Sequence, residues 1–318
     1  MTFPPKRRLW SRRSINSGLW SAIAGGLLAS ATPSFSNADA DREDALADLN
    51  AVRRWGCQYQ NIDVDAITAS DLDLIVLEPS LNDDALIFLS PDEIDRMKTK
   101  PGGGRRLVLA YLAVGEANVN RWFWPNAWRR SPPDWLGPLN PSWPGARLVR
   151  YWAPEWQTLI FSHQKSLLNR IVASGFDGVL LDRIDSYVEW QEEFPGADVE
   201  MVKLVQRISQ HARERNRGFL IMGQNAEDLL YDSAYRRALD GLNKESLFTG
   251  LRGMDTVNAE SDVAWSLERL ELARKAGITV LVTDYAKSEK MRAYARRAAK
   301  KHGMPLFQGT WDLDRLPL

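Results

Sequence analysis

GVLLDRIDSYVEW, Gly178 to Trp190, joins a run fit for a buried strand directly to Asp182, Arg183 and Asp185, and then to aromatics. A carboxylate buried without a partner is costly, so a core strand that ends in acids needs a reason. The surrounding chain supplies one. Apolar runs followed by a loop and a helical pattern recur, often ending in an acid or amide, at Trp55 to Gln60, Leu72 to Glu78, Arg106 to Val114, Gly178 to Asp182, Gly218 to Gly223, Gly241 to Glu245, Thr279 to Asp284 and Pro305 to Gly309. Their lengths suit buried strands, and helix-like stretches separate most of them. About eight strands alternating with helices predict an α/β protein, a single-domain (β/α)8 TIM barrel. An open doubly wound sheet is the rival, but no GxGxxG joins a strand to a helix, and the glycine run Pro101 to Gly104 precedes a strand, as a flexible loop does. In a barrel the C-terminal strand ends open onto the face that carries chemistry, so acids there line a pocket.

Composition agrees with one large globular domain. The chain has 318 residues, no net formal charge and 44% hydrophobic residues, enough to bury a core without a covalent staple. Balanced charge gives no basic field for nucleic acid. The single cysteine, Cys57, excludes an intrachain disulfide and a cysteine-cluster zinc site. The first residues differ: a basic stretch, MTFPPKRRLWSRRS, precedes an apolar run, Gly18 to Ala31, and a small polar stretch, Thr32 to Ala40. That is the layout of an export signal. SRRSIN, Ser11 to Asn16, resembles a twin-arginine signal. The apolar run falls short of the roughly 20 residues of a membrane span, so residues 1–38 are read as a signal peptide, residues 39–318 as the barrel, and the location as periplasmic or secreted. An uncleaved anchor is the alternative.

Pro154 to Ala173 shows the helical half of the unit best: Trp156, Leu159, Ile160, His163, Leu167 and Ile171 fall on one face, with Pro154 at the start and Gly175 at the stop. Similar patterns occupy Asp198 to Arg215, Ser261 to Lys275 and Ser288 to Lys301. The three histidines, His163, His211 and His302, lie in helical stretches away from one another. Histidine-based hydrolysis and metal catalysis are therefore poorly supported, and GxSxG is absent.

Carboxylates remain. Gln60, Glu78, Glu116, Asp182, Asp185, Gln224, Asn225, Glu245 and Asp284 lie at or just past the predicted strand ends. Any one could cap a helix or pair with Arg183; their recurrence on one barrel face favours a site. Glycoside hydrolysis needs two carboxyl groups about 5 to 9.5 Å apart, one donating a proton and one acting as nucleophile or base. Asp182 and Glu245, on the fourth and sixth predicted strands, fit across the mouth. Between Arg121 and Gln157 lie seven of the 13 tryptophans: Trp122, Trp124, Trp128, Trp135, Trp143, Trp152 and Trp156. Aromatic faces stack on sugar rings, and at least two of these are expected to face substrate. Trp156, on the helical stripe, is expected in the core.

WGCQYQNID (Trp55 to Asp63), LVLAYLAVGEAN (Leu107 to Asn118), WPGARLVRYWAPEWQ (Trp143 to Gln157), GFDGVLLDRIDSYVEW (Gly175 to Trp190) and NKESLF (Asn243 to Phe248) resemble the endo-α-1,4-polygalactosaminidase-like glycoside hydrolase family from about Trp55 onward. The resemblance implies a (β/α)8 barrel and catalytic carboxylates at Asp182 in LLDRID and Glu245 in NKESLF. By analogy with other α-glycosidase barrels, Asp182 is the nucleophile and Glu245 the acid/base. It further implies a polysaccharide substrate of α-1,4-linked galactosamine type. Gln60, Glu78, Tyr111, Glu116, Trp122, Trp124, Trp143, Arg183, Asp185, Gln224 and Asp284 are the expected substrate-binding residues. No metal or organic cofactor, nucleic acid or lasting membrane span is implied. Glu78 in IVLEPS and Ala153 in YWAPEW stand where the family pattern has aspartate, which leaves the sugar's identity open. A non-catalytic polysaccharide-binding barrel is the alternative.

Overall fold

The computed structural model describes residues 37–81, 87–141 and 143–316. Eight strands, β1 (Trp55–Gln58), β2 (Leu74–Leu77), β3 (Leu107–Ala113), β4 (Gly178–Asp182), β5 (Leu220–Gln224), β6 (Gly241–Glu245), β7 (Thr279–Asp284) and β8 (Leu306–Gln308), pair in chain order as one parallel sheet. The sheet curls until its edges meet. Trp55 Nε1 donates to Pro305 O at 3.3 Å and the Trp55 ring sits edge-on to Phe307, bridging β1 to β8. The (β/α)8 expectation is correct, and each strand falls within one of the eight runs read from the sequence except β5, which runs one residue further, to Gln224.

Alternation along the strands divides the core in two. Trp55, Cys57, Leu74, Val76, Leu107, Leu109, Leu180, Leu220, Met222, Leu281 and Phe307 point inward and form one cluster. Ile75, Leu77, Val108, Val179, Leu181, Ile221, Leu242, Val280 and Val282 point outward and pack under the helices. The helix Asn37–Asn50 belongs to the inner cluster: Ala45 and Leu49, with Val52 just beyond, pack against it, and Arg42 pairs with Asp240. Asp240 lies just before β6 and its Oδ2 accepts from Ile221 N at 2.8 Å; Asp177, just before β4, accepts from Val108 N at 2.9 Å in the same way. These acids lie at the N-terminal strand ends, where they tie strands together, and the helix covers that end of the barrel. The export signal read at residues 1–38 lies almost wholly outside the described residues. Among the described residues no helix is long and apolar enough to cross a membrane.

Three predicted helices are found as Ala197–Arg213, Glu260–Lys275 and Glu289–Lys301. The fourth is not continuous. Pro154–Gln157 opens into a wide π turn, Thr158–Ser162, the chain bends, and the Ser166 side chain caps a new helix, Leu167–Ala173, by accepting from Asn169 N. His163 falls in the break and is exposed, not buried on the stripe.

The segment after β3 builds a small antiparallel sheet, with Ala146–Val149 between Glu116–Asn118 and Leu136–Leu139. Its aromatics pack mostly on one another: Trp122 against Phe123, Phe123 against Trp156, Trp156 against Trp135, Trp135 against Trp128 and Trp128 against Trp124, mostly edge-to-face. That geometry suits the ring quadrupole and removes large apolar area from water.

Candidate active site

Three adjacent strands end in the same local device. Arg183, Asn225 and Ser246 directly follow Asp182, Gln224 and Glu245, and all three are left-handed, at φ 60, 54 and 50. Such a backbone costs a non-glycine residue about 1–2 kcal/mol, and it recurs where strain serves a site. Here it turns the chain sharply away, leaving the last inward side chain of each strand at the barrel mouth. Gly115 brings the β3 loop against the β4 turn: a Cβ there would lie 2.1 Å from Ser186 Oγ and 2.2 Å from Arg183 O.

Gln224 ties the mouth together. Its Nε2 donates to Asp182 Oδ1 and to Glu245 Oε2, both at 3.0 Å. The two acceptor oxygens therefore lie within about 6 Å of each other, a bound that admits the 5–5.5 Å spacing of carboxyl pairs that act by double displacement. The amide is oriented from behind: Asn243 Nδ2 donates to Gln224 Oε1 at 3.2 Å, and Thr283 Oγ1 donates to Asn243 Oδ1 at 3.0 Å. Asp182 also accepts from the Tyr111 hydroxyl at 2.6 Å. Glu245 accepts from Asn225 Nδ2 at 2.8 Å and from the Tyr285 hydroxyl.

Burial, and next the charge of Asp182, push the Glu245 carboxyl above its usual range, outweighing the Tyr285 and Asn225 donors that pull it down. Burial also raises Tyr111 and Tyr285, helped by the Asp182 and Glu245 charges they face, so both remain protonated donors. Asp185 is pushed up to about 7 by burial, and by Asp182, Glu189 and Glu245, against the pull of Arg183. Arg183 reaches Glu116 at 2.6 Å, Asp185 at 3.3 Å and Glu189 at 2.7 Å. Burial opposes its charge, yet these carboxylates outweigh burial and hold it cationic. Glu116 accepts from Asn140 Nδ2 at 2.7 Å, and burial raises its carboxyl despite Arg183.

Two clefts flank the carboxylate pair. One is lined by Glu78, Tyr111, Glu116, Arg121, Phe123 and Trp143, the other by Asp185, Val188, Lys244, Glu245, Leu251 and Trp265. A buried carboxyl held above its usual range, a second carboxylate in close range and an aromatic-edged cleft together suit acid-assisted displacement at a sugar acetal.

Residues 38–314 match the family described as glycoside hydrolase family GH114. The chain belongs to that family. It is a glycoside hydrolase. An uncharacterised protein of Deinococcus radiodurans is 33% identical over 85% of this chain and 84% of its own length. One from Methanocaldococcus jannaschii is 36% identical over 73% of this chain and 66% of its own. The glycoside hydrolase domain of PelA from Pseudomonas aeruginosa shares the fold, with a TM-score of 0.61 at 18% identity over 84% of this chain and 98% of that one.

Within this GH114 barrel, Asp182, Glu245, Tyr111, Glu116, Gln224, Arg183 and Asp185 converge at the mouth, and Trp143, 46% exposed, edges the first cleft. Glu78 lines that cleft too, but Arg121 takes both its oxygens. Four expected residues do not join them. Gln60 is exposed and donates to Asp312 O at 2.9 Å. Asp284 is fully buried and accepts from Thr249 Oγ1 at 2.5 Å and Ala286 N at 3.2 Å. Trp124 is buried in the aromatic stack, and Trp122 lies against the Arg170 guanidinium, 5.3 Å from its ring. Stacking within the loop, not toward sugar, holds these two. Tyr285, Asn243 and Arg121 join the site without standing among the expected residues; for Tyr285 the inward parity of β7 is the signal in the sequence.

Proposed function

We propose that this GH114 member is exported and cleaves an α-1,4-linked galactosamine-type polysaccharide by double displacement, with Asp182 as nucleophile and Glu245 as acid and base. The observation that carries the reading is the single Gln224 amide bonded to both carboxylates. In the first step an Asp182 oxygen bonds to the anomeric carbon, the glycosidic C–O bond breaks, and the Glu245 proton passes to the leaving oxygen. In the second, Glu245 takes a proton from water as the water oxygen displaces Asp182. The raised carboxyl of Glu245 supports the acid role. Tyr111 and Gln224 would hold Asp182 for in-line attack.

The test is release of new reducing ends from acetylated and de-N-acetylated α-1,4-galactosamine polymers. Wild type is expected to cut at least one; Asp182→Asn and Glu245→Gln should each lose about 1,000-fold or more. NMR should find the first-formed sugar with the anomeric configuration of the substrate. Binding of both polymers with no cleavage of either would overturn the substrate assignment, and an inverted product would remove Asp182 as nucleophile.

A further inference from the structure

The second cleft, about 370 Å³, is lined by Glu245 and Asp185 together with Trp265, Leu251 and Val188. Trp265 is 42% exposed, unlike the tryptophans stacked after β3, and its ring is fixed. The Arg269 guanidinium lies 3.8 Å from the indole centroid and is held there by Asp228 at 2.6 Å and by Trp265 O at 3.0 Å. A platform immobilised before ligand arrives loses little further entropy on binding. Leu251, 42% exposed, and Val188, 54% exposed, extend its apolar surface.

Apart from Glu245, whose donors are the uncharged Gln224, Asn225 and Tyr285, the charged groups around this platform already have ionic partners. Lys244 pairs with Glu227 at 3.3 Å, both nearly buried, and Ser266 also donates to Glu227 at 2.8 Å. Asp228 is taken by Arg269 and Asp185 by Arg183. An ammonium group entering here would compete with internal cations, whereas the C–H face of an uncharged sugar ring would meet the part of the indole that Arg269 leaves exposed.

We propose that the cleft from Glu245 to Trp265 is a sugar subsite that seats an uncharged ring, an N-acetylated or plain hydroxylated hexose, on Trp265. The subsite presupposes the polysaccharide reading given for Asp182 and Glu245, and its continuity with Glu245 makes the bound ring part of the same chain as the cleaved bond.

The test uses full-length Asp182→Asn protein, in which turnover is expected to fall about 1,000-fold or more while the cleft keeps its Glu245 carboxyl, titrated calorimetrically with fully acetylated and fully de-N-acetylated α-1,4-galactosamine hexamers. The acetylated hexamer should bind more tightly. Adding Trp265→Ala should weaken it by about tenfold and the de-N-acetylated hexamer by less than about threefold, while Trp265→Phe, which keeps a ring, retains most of the affinity. Thermal melts of each variant separate misfolding from lost contact. If Trp265→Ala folds and leaves the acetylated hexamer within about twofold, or weakens both hexamers alike, the subsite assignment fails while the polysaccharide reading stands. If Asp182→Asn binds neither hexamer, the polymer class and the subsite fall together.

Discussion

Tyr285 and Asp182 pull Glu245 in opposite directions: the Tyr285 hydroxyl favours the carboxylate, while burial and the Asp182 charge favour the acid. If Glu245 is the proton donor, kcat/KM falls as pH rises through its raised pKa. Tyr285→Phe removes a donor that lowers that pKa, so the alkaline limb should move up by about one pH unit, the scale of one charge-assisted hydrogen bond. A pH profile in which the limb stays put or moves down would remove Tyr285 from this role. Strand parity explains why Tyr285 was not read from the sequence and Asp284 was. On β7 the outward set is Val280 and Val282, which puts Asp284 among the helices, where it bonds Thr249, and Tyr285 inward. On β1 the inward set is Trp55 and Cys57, so Tyr59 points inward and stacks on Tyr111 at 4.4 Å while Gln60 leaves the barrel. Asp182 and Glu245 were legible because they share the inward parity of their strands as well as lying at strand ends. Residue type and position are visible in the sequence; for β1 and β7 the face is carried by the alternation, which places Tyr59 and Tyr285 inward and Gln60 and Asp284 away from the mouth.

At the scale of elements, the strands were plain because a buried parallel strand leaves a continuous apolar run between breakers. The helix at Pro154 was harder. Its stripe continues past Ser162 in sequence, but a π turn shifts the register and Ser166 competes as a fresh cap, so the later turns belong to another helix. The tryptophan segment misled in a similar way, because rings that can stack on sugar can also stack on each other. Ala153 illustrates what a local departure means once the element is known. It occupies the N-cap of Pro154–Gln157 with an extended backbone and gives no side-chain hydrogen bond to the helix. An aspartate there would meet the orphan N–H groups of the first turn, so the alanine removes a cap. Ala153→Asp is expected to raise stability by about 1 kcal/mol, read as a higher urea midpoint with an unchanged slope. A loss of stability would show that packing around Ala153 outweighs the cap.

The whole molecule divides its polar groups by barrel end. Acids before strands, Asp177 and Asp240, are spent on neighbouring backbone and on Arg105, Lys98, Arg42 and Arg213, whereas the acids that end strands, Asp182 and Glu245, face each other across Gln224. The N-terminal helix Asn37–Asn50 belongs to the first end: Leu49 is fully buried with the inward strand residues, and the Asn50 side chain accepts from Thr279 Oγ1, at the start of β7, at 2.6 Å. This helix has a weak amphipathic signature and lies next to the stretch read as an export signal, so sequence pattern alone did not reveal it as the barrel's floor. If it serves packing and the mouth serves chemistry, the two can be separated by substitution. Leu49→Ala leaves a cavity in the inner core and is expected to cost about 2–5 kcal/mol, measured by urea unfolding. The kcat of the folded fraction should stay within about twofold, because Leu49 lies among the residues that pack the floor and Glu245 among those at the mouth. A stability loss below about 1 kcal/mol would mean that the floor collapses to fill the gap. A large fall in kcat with stability intact would mean that the inner core transmits its packing to the carboxylate pair, and that floor and mouth are not independent.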